Sequence, residues 1–226
     1  MLTPNELLIM AAKTNSIAHA LNAIAFGADV TATDEDGNNA AIWFGFYNNL
    51  AGVLAMADKN PAVLLQSNRT KRSVVGELAR HNNYAGVIAC YDLNIDAIYN
   101  VAPNGVNVAI ALARTNNIEG VLAVADLAPG LLMAADDNGE TALHKLLNNC
   151  SLVNVARVVH CHPEVLKLNL IADFIDSNIF NTESMAKYIA ALINMGFEQP
   201  ENFAEALQSI GVDEADISRL RMDGEF

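Results

Sequence analysis

Aromatic side chains make up only 6% of this chain, and its 13 Lys and Arg are outnumbered by 26 Asp and Glu. With few rings and much Ala, Leu, Val and Ile, the core is expected from short, closely packed helices rather than strands. A formal charge of −13 and an isoelectric point near 4.6 exclude nucleic acid and an anionic membrane as principal partners, because both are held by surplus positive charge. Cysteine is down to three residues, Cys90, Cys150 and Cys161. An odd number without framework spacing rules out a disulfide scaffold and suits a reducing compartment, so a cytoplasmic location is expected. No apolar run reaches the roughly eighteen residues a bilayer requires. Met1 to Met10 lacks a basic stretch and carries Glu6, so no secretory leader is expected. A Gly-rich phosphate loop, a Gly-x-Ser-x-Gly elbow and a His-Glu-x-x-His pair are all missing, so neither catalysis nor a cofactor is expected.

What the chain has in quantity is repetition. The stretch Asp136-Asp137-Asn138-Gly139-Glu140-Thr141-Ala142-Leu143-His144 has counterparts at steps of 34 residues, starting at Ala102, Asn68 and Asp34. Three residues beyond each start stand Gly139, Gly105, Lys71 and Gly37. Gly52-Val53-Leu54-Ala55, Gly86-Val87-Ile88-Ala89 and Gly120-Val121-Leu122-Ala123 share one set of columns, and Asp58, Asp92 and Asp126 share another. Units of this length cannot bury an apolar face alone and must stack on their neighbours.

The turn from Asp136 to His144, opening an apolar helix that a second helix follows, resembles the ankyrin repeat, with Ala142 where that family has proline. Gly27-Ala28-Asp29-Val30 is similar to the segment that closes an ankyrin unit. Asn39-Ala40-Ala41-Ile42, Ser73-Val74-Val75-Gly76 and Asn107-Val108-Ala109-Ile110 replace the family's Thr-Pro-Leu-His, which leaves the middle turns less regular than the helix pairs. The resemblance spans residues 4–203 and implies an all-α, ankyrin-like helical repeat solenoid. Five 34-residue units are expected near 34–67, 68–101, 102–135, 136–169 and 170–203. A truncated unit at 4–33 caps the start, and capping helices with a frayed tail occupy 204–226.

Local signals agree with this division. Thr3-Pro4-Asn5-Glu6 combines a helix cap, a proline at the first helical position and a carboxylate that reaches back. Asn48-Asn49, Asn82-Asn83 and Asn116-Asn117 sit between the two helices of successive units, where asparagine can supply positive φ and bond a neighbouring backbone, so a stacked ladder is expected. The columns of Val53 and Leu54, with their equivalents through Val155 and Ala156, are expected in the core. Pro61, Pro129 and Pro163 mark exit loops whose Leu-Leu or Val-Leu pairs pack back. Asn181 or Thr182 begins a helix that stops at Gly196. The His160-Cys161-His162 run, with Cys150 and His144, lacks zinc-ligand spacing; the cysteines are expected as buried apolar residues and no metal site is expected.

Binding residues of ankyrin proteins come from hairpin tips and the inner helix ends lining a concave face, and the resemblance places Phe46, Tyr47, Arg69, Arg72, Arg80, His81 and Arg114 there. A local excess of Arg beside aromatic residues, in so acidic a chain, fits an interface for an acidic, partly apolar protein surface. The competing reading is solvated charge of little individual worth. The expected function is therefore non-catalytic protein binding by a monomer. In the alternative, the chain is a bacterial effector delivered into a host cell cytosol, or a substrate-recruiting adaptor, and segment 170–226 carries an address or a second activity.

Overall fold

In the computed structural model, residues 1–149, 151–177, 182–209, 211–215 and 217–218 are described; Cys150, Asn181, Asp216 and the tail from Arg219 lie outside them. Two compact units form, Met1–Ala142 and Leu143–Phe226. Among the described residues the fold is all-α: there is no named strand, and two isolated antiparallel bridges join Thr33 to Asn39 and Ser67 to Ser73.

The first unit is a series of helix pairs: α1 (Pro4–Lys13) with α2 (Ile17–Ala25), α3 (Ala40–Phe46) with α4 (Leu50–Lys59), α5 (Val74–Arg80) with α6 (Tyr84–Leu93), and α7 (Val108–Arg114) with α8 (Ile118–Leu127). The first helix of each pair packs on that of the next, and the second helices do the same, giving two rows; a short α9 (Gly130–Met133) closes on α7 and α8. Most starts have a local cap, α2 and α9 being the exceptions. Thr3 and Glu6 form the reciprocal capping box on α1. Asn39, Ser73 and Asn107 each accept the backbone N–H three residues on, capping α3, α5 and α7. Asn39 and Asn107 also donate from Nδ2 to the carbonyls of Val63 and Leu131, fastening each exit loop to the start of its own pair.

The hairpins are held by one device used three times. Asp34 Oδ1 accepts from the backbone of Asp36 and Asn38, Asn68 Oδ1 from Thr70 and Arg72, and Asp136 Oδ1 from Asn138 and Glu140. Ala102 has no such oxygen, and its turn tightens into a 3-10 segment over Pro103–Gly105. Adjacent tips are tied directly, Arg69 N–H to the Asp36 carbonyl and Asp137 N–H to the Asn104 carbonyl, both at 2.9 Å.

The expected asparagine ladder is present and reaches one unit further than expected. Asn15, Asn48, Asn82 and Asn116 all hold positive φ, between 55° and 61°. Asn49, Asn83 and Asn117 each cap the following helix through Oδ1 and donate from Nδ2 to Asn15, Asn48 and Asn82 of the preceding pair, at 2.6 to 2.7 Å. One side chain thus ends a local problem and links two units.

Val53, Val87 and Val121 are fully buried, whereas Leu54, Ile88 and Leu122 are only half-buried, so one of the two expected core columns faces the margin. In the first exit loop the buried pair is Val63 and Leu64; Leu65 is exposed because the 3-10 turn Pro61–Leu64 points it outward. In the first pair the structural equivalents lie 33 residues back, as Asn15 and Asn48 do: Ala11, Ala20 and Ala23 stand in the places of Phe44, Val53 and Met56 and are buried, while their neighbours Met10, His19 and Asn22 are exposed.

The second unit begins within α10 (Ala142–Asn148) and continues through α11 (Leu152–Cys161), α12 (Leu170–Ser177), α13 (Thr182–Asn194) and α14 (Phe203–Ser209). The expected unit at 170–203 departs from the others at its start. No Asp or Asn followed by Gly is available to turn the chain, and Leu170, Ile171, Phe174 and Ile175, buried at helical spacing, make α12 where a hairpin would stand. Its second helix ends as expected, before Gly196 at φ 97°. Phe174 stacks on Tyr188 with centroids 5.7 Å apart.

Candidate functional site

Three carboxylates lie beneath one face of the first unit. Asp34 (6% exposed), Glu77 (2%) and Asp136 (0%) are each met by cations at the surface. Lys13 Nζ is 3.1 Å from Asp34, Arg80 Nη1 is 2.8 Å from Glu77, and Arg114 Nη2 is 3.3 Å from Asp136. Arg72 Nε lies 3.7 Å from Glu77, beyond hydrogen-bond reach. For Asp34, burial works against the charged form, but the Asn38 N–H, the Lys13 ammonium, the Trp43 indole and the Asn38 amide outweigh it and hold the carboxyl at about 2. In a buried setting, losing such a cation leaves the carboxylate uncompensated.

The seven residues expected to bind a partner all belong to the first unit and are all exposed, but they divide in two. Arg72, Arg80 and Arg114 carry the ion pairs just described. Tyr47 donates its hydroxyl to the Lys13 carbonyl at 2.8 Å, and the His81 Nε2–H donates to the Phe46 carbonyl at 2.8 Å, so both tie neighbouring units together. Phe46 and Arg69 remain. Phe46 is 41% exposed, edge-on to Trp43 and Tyr47 at centroid distances of 5.8 and 5.2 Å. The Arg69 guanidinium makes no hydrogen bond or ion pair among the described residues, since its only bond is through the backbone. Three of these arginines neutralise buried carboxylates while keeping roughly half of each side chain in solvent.

Phe46 and Arg69 meet at a cleft of about 470 Å³ between two hairpins, floored by Ile42, Trp43 and Phe46 and rimmed by Asp36, Arg69 and Arg72. Trp43 is half-buried and held in place, its indole N–H donating to Asp34 at 3.0 Å while the Lys13 ammonium lies 5.2 Å over its ring. A second cleft of about 420 Å³ adjoins on the side of α1, lined by Glu6, Ile9, Met10, Lys13, Glu35 and Asp36. Asp36 belongs to both. Lys13 and Glu77 were not legible as parts of this face: nothing in their own neighbourhoods marks them, and only the stacking brings Lys13 to the next hairpin.

The histidines and cysteines lie elsewhere. His144 Nε2 sits 3.1 Å from Asp173, and His162 Nδ1 3.3 Å from Glu164, both within the second unit. Cys161, expected to be buried, is exposed at the last turn of α11, where the helix exit turns it out of the core; Cys150 lies outside the described residues. Cys90 is buried, and burial pushes its thiol up to about 12. Among the described residues no three His, Cys, Asp or Glu side chains gather as a metal site would require, and no helix is long and apolar enough to cross a membrane. No protein-family model matches the chain, and no curated protein matches it.

Proposed function

We propose that the chain is an ankyrin-like helical repeat protein that binds another protein, without catalysis, through the face carrying Phe46, Tyr47, Arg69, Arg72, Arg80, His81 and Arg114. The ankyrin-like reading is supported by the 34-residue recurrence of hairpins, left-handed asparagines and inter-unit bonds. The observation that carries the function is the juxtaposition of an exposed Phe46 and an unengaged Arg69 over a braced tryptophan, in a chain of net charge −13. Apolar floor, charged rim and an immobilised aromatic are the ingredients of an interface core, and Arg with Trp are the types that dominate such energetics. The partner surface this suits is acidic and partly apolar.

The test must avoid residues that hold the fold. Reversing the charge at Arg80 or Arg114 sets two carboxylates together in a buried site and destabilises the protein before any partner is consulted. The double variant Phe46→Ala/Arg69→Glu touches neither ion pair. Affinity capture from a cytosolic extract, comparing wild type with this variant, is expected to show a protein retained by the first and lost by the second. Identical captured sets would remove this face from consideration.

A further inference from the structure

Resting on the protein-binding reading, the two adjoining clefts carry a more specific statement about what is bound. They have opposite electrostatic character. In the first, Arg69 is unengaged and Arg72 stands 3.7 Å from Glu77, so both guanidiniums keep donors for an incoming anion. In the second, the carboxylates of Glu35 and Asp36 hold no hydrogen bond or ion pair among the described residues, and the single cation, Lys13, is committed to Asp34. Asp36 is shared by the two clefts, the apolar surfaces of Trp43 and Phe46 line the first beside it, and Lys13 of the second cleft covers the ring of Trp43.

We propose that the two clefts receive one continuous extended segment of a partner protein, dipolar in its order of side chains. A basic residue meets Glu35 and Asp36, a large apolar residue lies on Trp43 and Phe46, and a carboxylate meets Arg69 and Arg72. Opposite charges on either side of an apolar anchor fix the register, and they reject segments of a single sign because one end then faces like charge. The partner of this face is therefore not recognised by acidity alone.

A display library of random dodecapeptides is selected against the full-length wild type, Arg69→Glu, and Glu35→Lys/Asp36→Lys. Neither variant removes a side-chain bond of the fold. Wild type is expected to enrich peptides with a large apolar residue flanked by a basic residue on one side and an acidic one on the other. Arg69→Glu should abolish the acidic preference and Glu35→Lys/Asp36→Lys the basic one, each by roughly tenfold in enrichment, as expected for about 1.4 kcal/mol per charge contact. Trp43 is the sole tryptophan, so an enriched peptide should change its emission saturably. Peptides of one sign only, preferences that neither variant alters, no enrichment, or binding without a Trp43 response would overturn the dipolar assignment. Capture that still depends on Phe46 and Arg69 would then leave the protein-binding reading standing, and its loss would remove both.

Discussion

Lys71 holds φ 59° in a column where Gly37, Gly105 and Gly139 sit between 75° and 83°. A side chain in that region costs roughly 1–2 kcal/mol, partly offset in glycine by its larger unfolded-state freedom. Lys71→Gly should therefore stabilise the protein by about 0.5–1 kcal/mol, read as a higher urea midpoint; an unchanged or lower midpoint would mean the turn carries no strain. Asp34 makes a second statement at this scale. Its folded carboxyl titrates at about 2, below the ordinary 3.8. The unfolded chain therefore binds more protons between those values, and the contribution of Asp34 is complete above pH 4 and lost as pH falls towards 2. Asp34→Asn should cost up to roughly 2 kcal/mol at neutral pH. The gap from wild type should close as acid unfolding is approached; a gap that stays constant with pH would show that the fold gains nothing from the charge on Asp34.

At the scale of the element, the asparagine pairs explain how successive helix pairs stack. Asn83 caps α6 through Gly86 and bonds Asn48 of the preceding pair. Asn83→Ala should cost about 1–2 kcal/mol, the sum of a lost cap and a lost hydrogen bond. Asn82→Gly keeps the left-handed backbone and removes only the acceptor used by Asn117 and Thr115, so its cost should be smaller, about 0.5–1 kcal/mol. Equal losses, measured by chemical unfolding, would show that the cap adds nothing beyond the ladder bond, and no loss from Asn82→Gly would show that the ladder contributes nothing. This element was legible before any coordinates, because the pairs recur in step with the helices. The start of the 170–203 segment was not: its helix α12 takes its register from Leu170, Ile171, Phe174 and Ile175, and a local apolar spacing there overrides the 34-residue period carried by the preceding units. Asn15 was not legible as a rung because it follows a threonine instead of leading a pair.

For the molecule as a whole, charge is distributed rather than merely negative. Basic residues in the first unit are drawn to one face by carboxylates buried under it, and the sequence shows the arginines but not the acids that hold them: Glu77 sits mid-helix like any solvated residue, and its burial follows only from the packing of α5 against α3 and α7. The same packing separates residues that the family pattern grouped together. Tyr47 and His81 link units, Arg80 and Arg114 neutralise buried charge, and Phe46 and Arg69 are exposed without a side-chain hydrogen bond or ion pair among the described residues. The most direct test replaces Phe46 with a photo-crosslinking amino acid in the full-length chain, with Ala51, exposed on α4 and outside both clefts, as the comparison position. Irradiation in cells should give a discrete protein adduct from position 46, none from position 51, and loss of the adduct when Arg69→Glu is added. Adducts of equal strength from both positions, or none from position 46, would contradict the account.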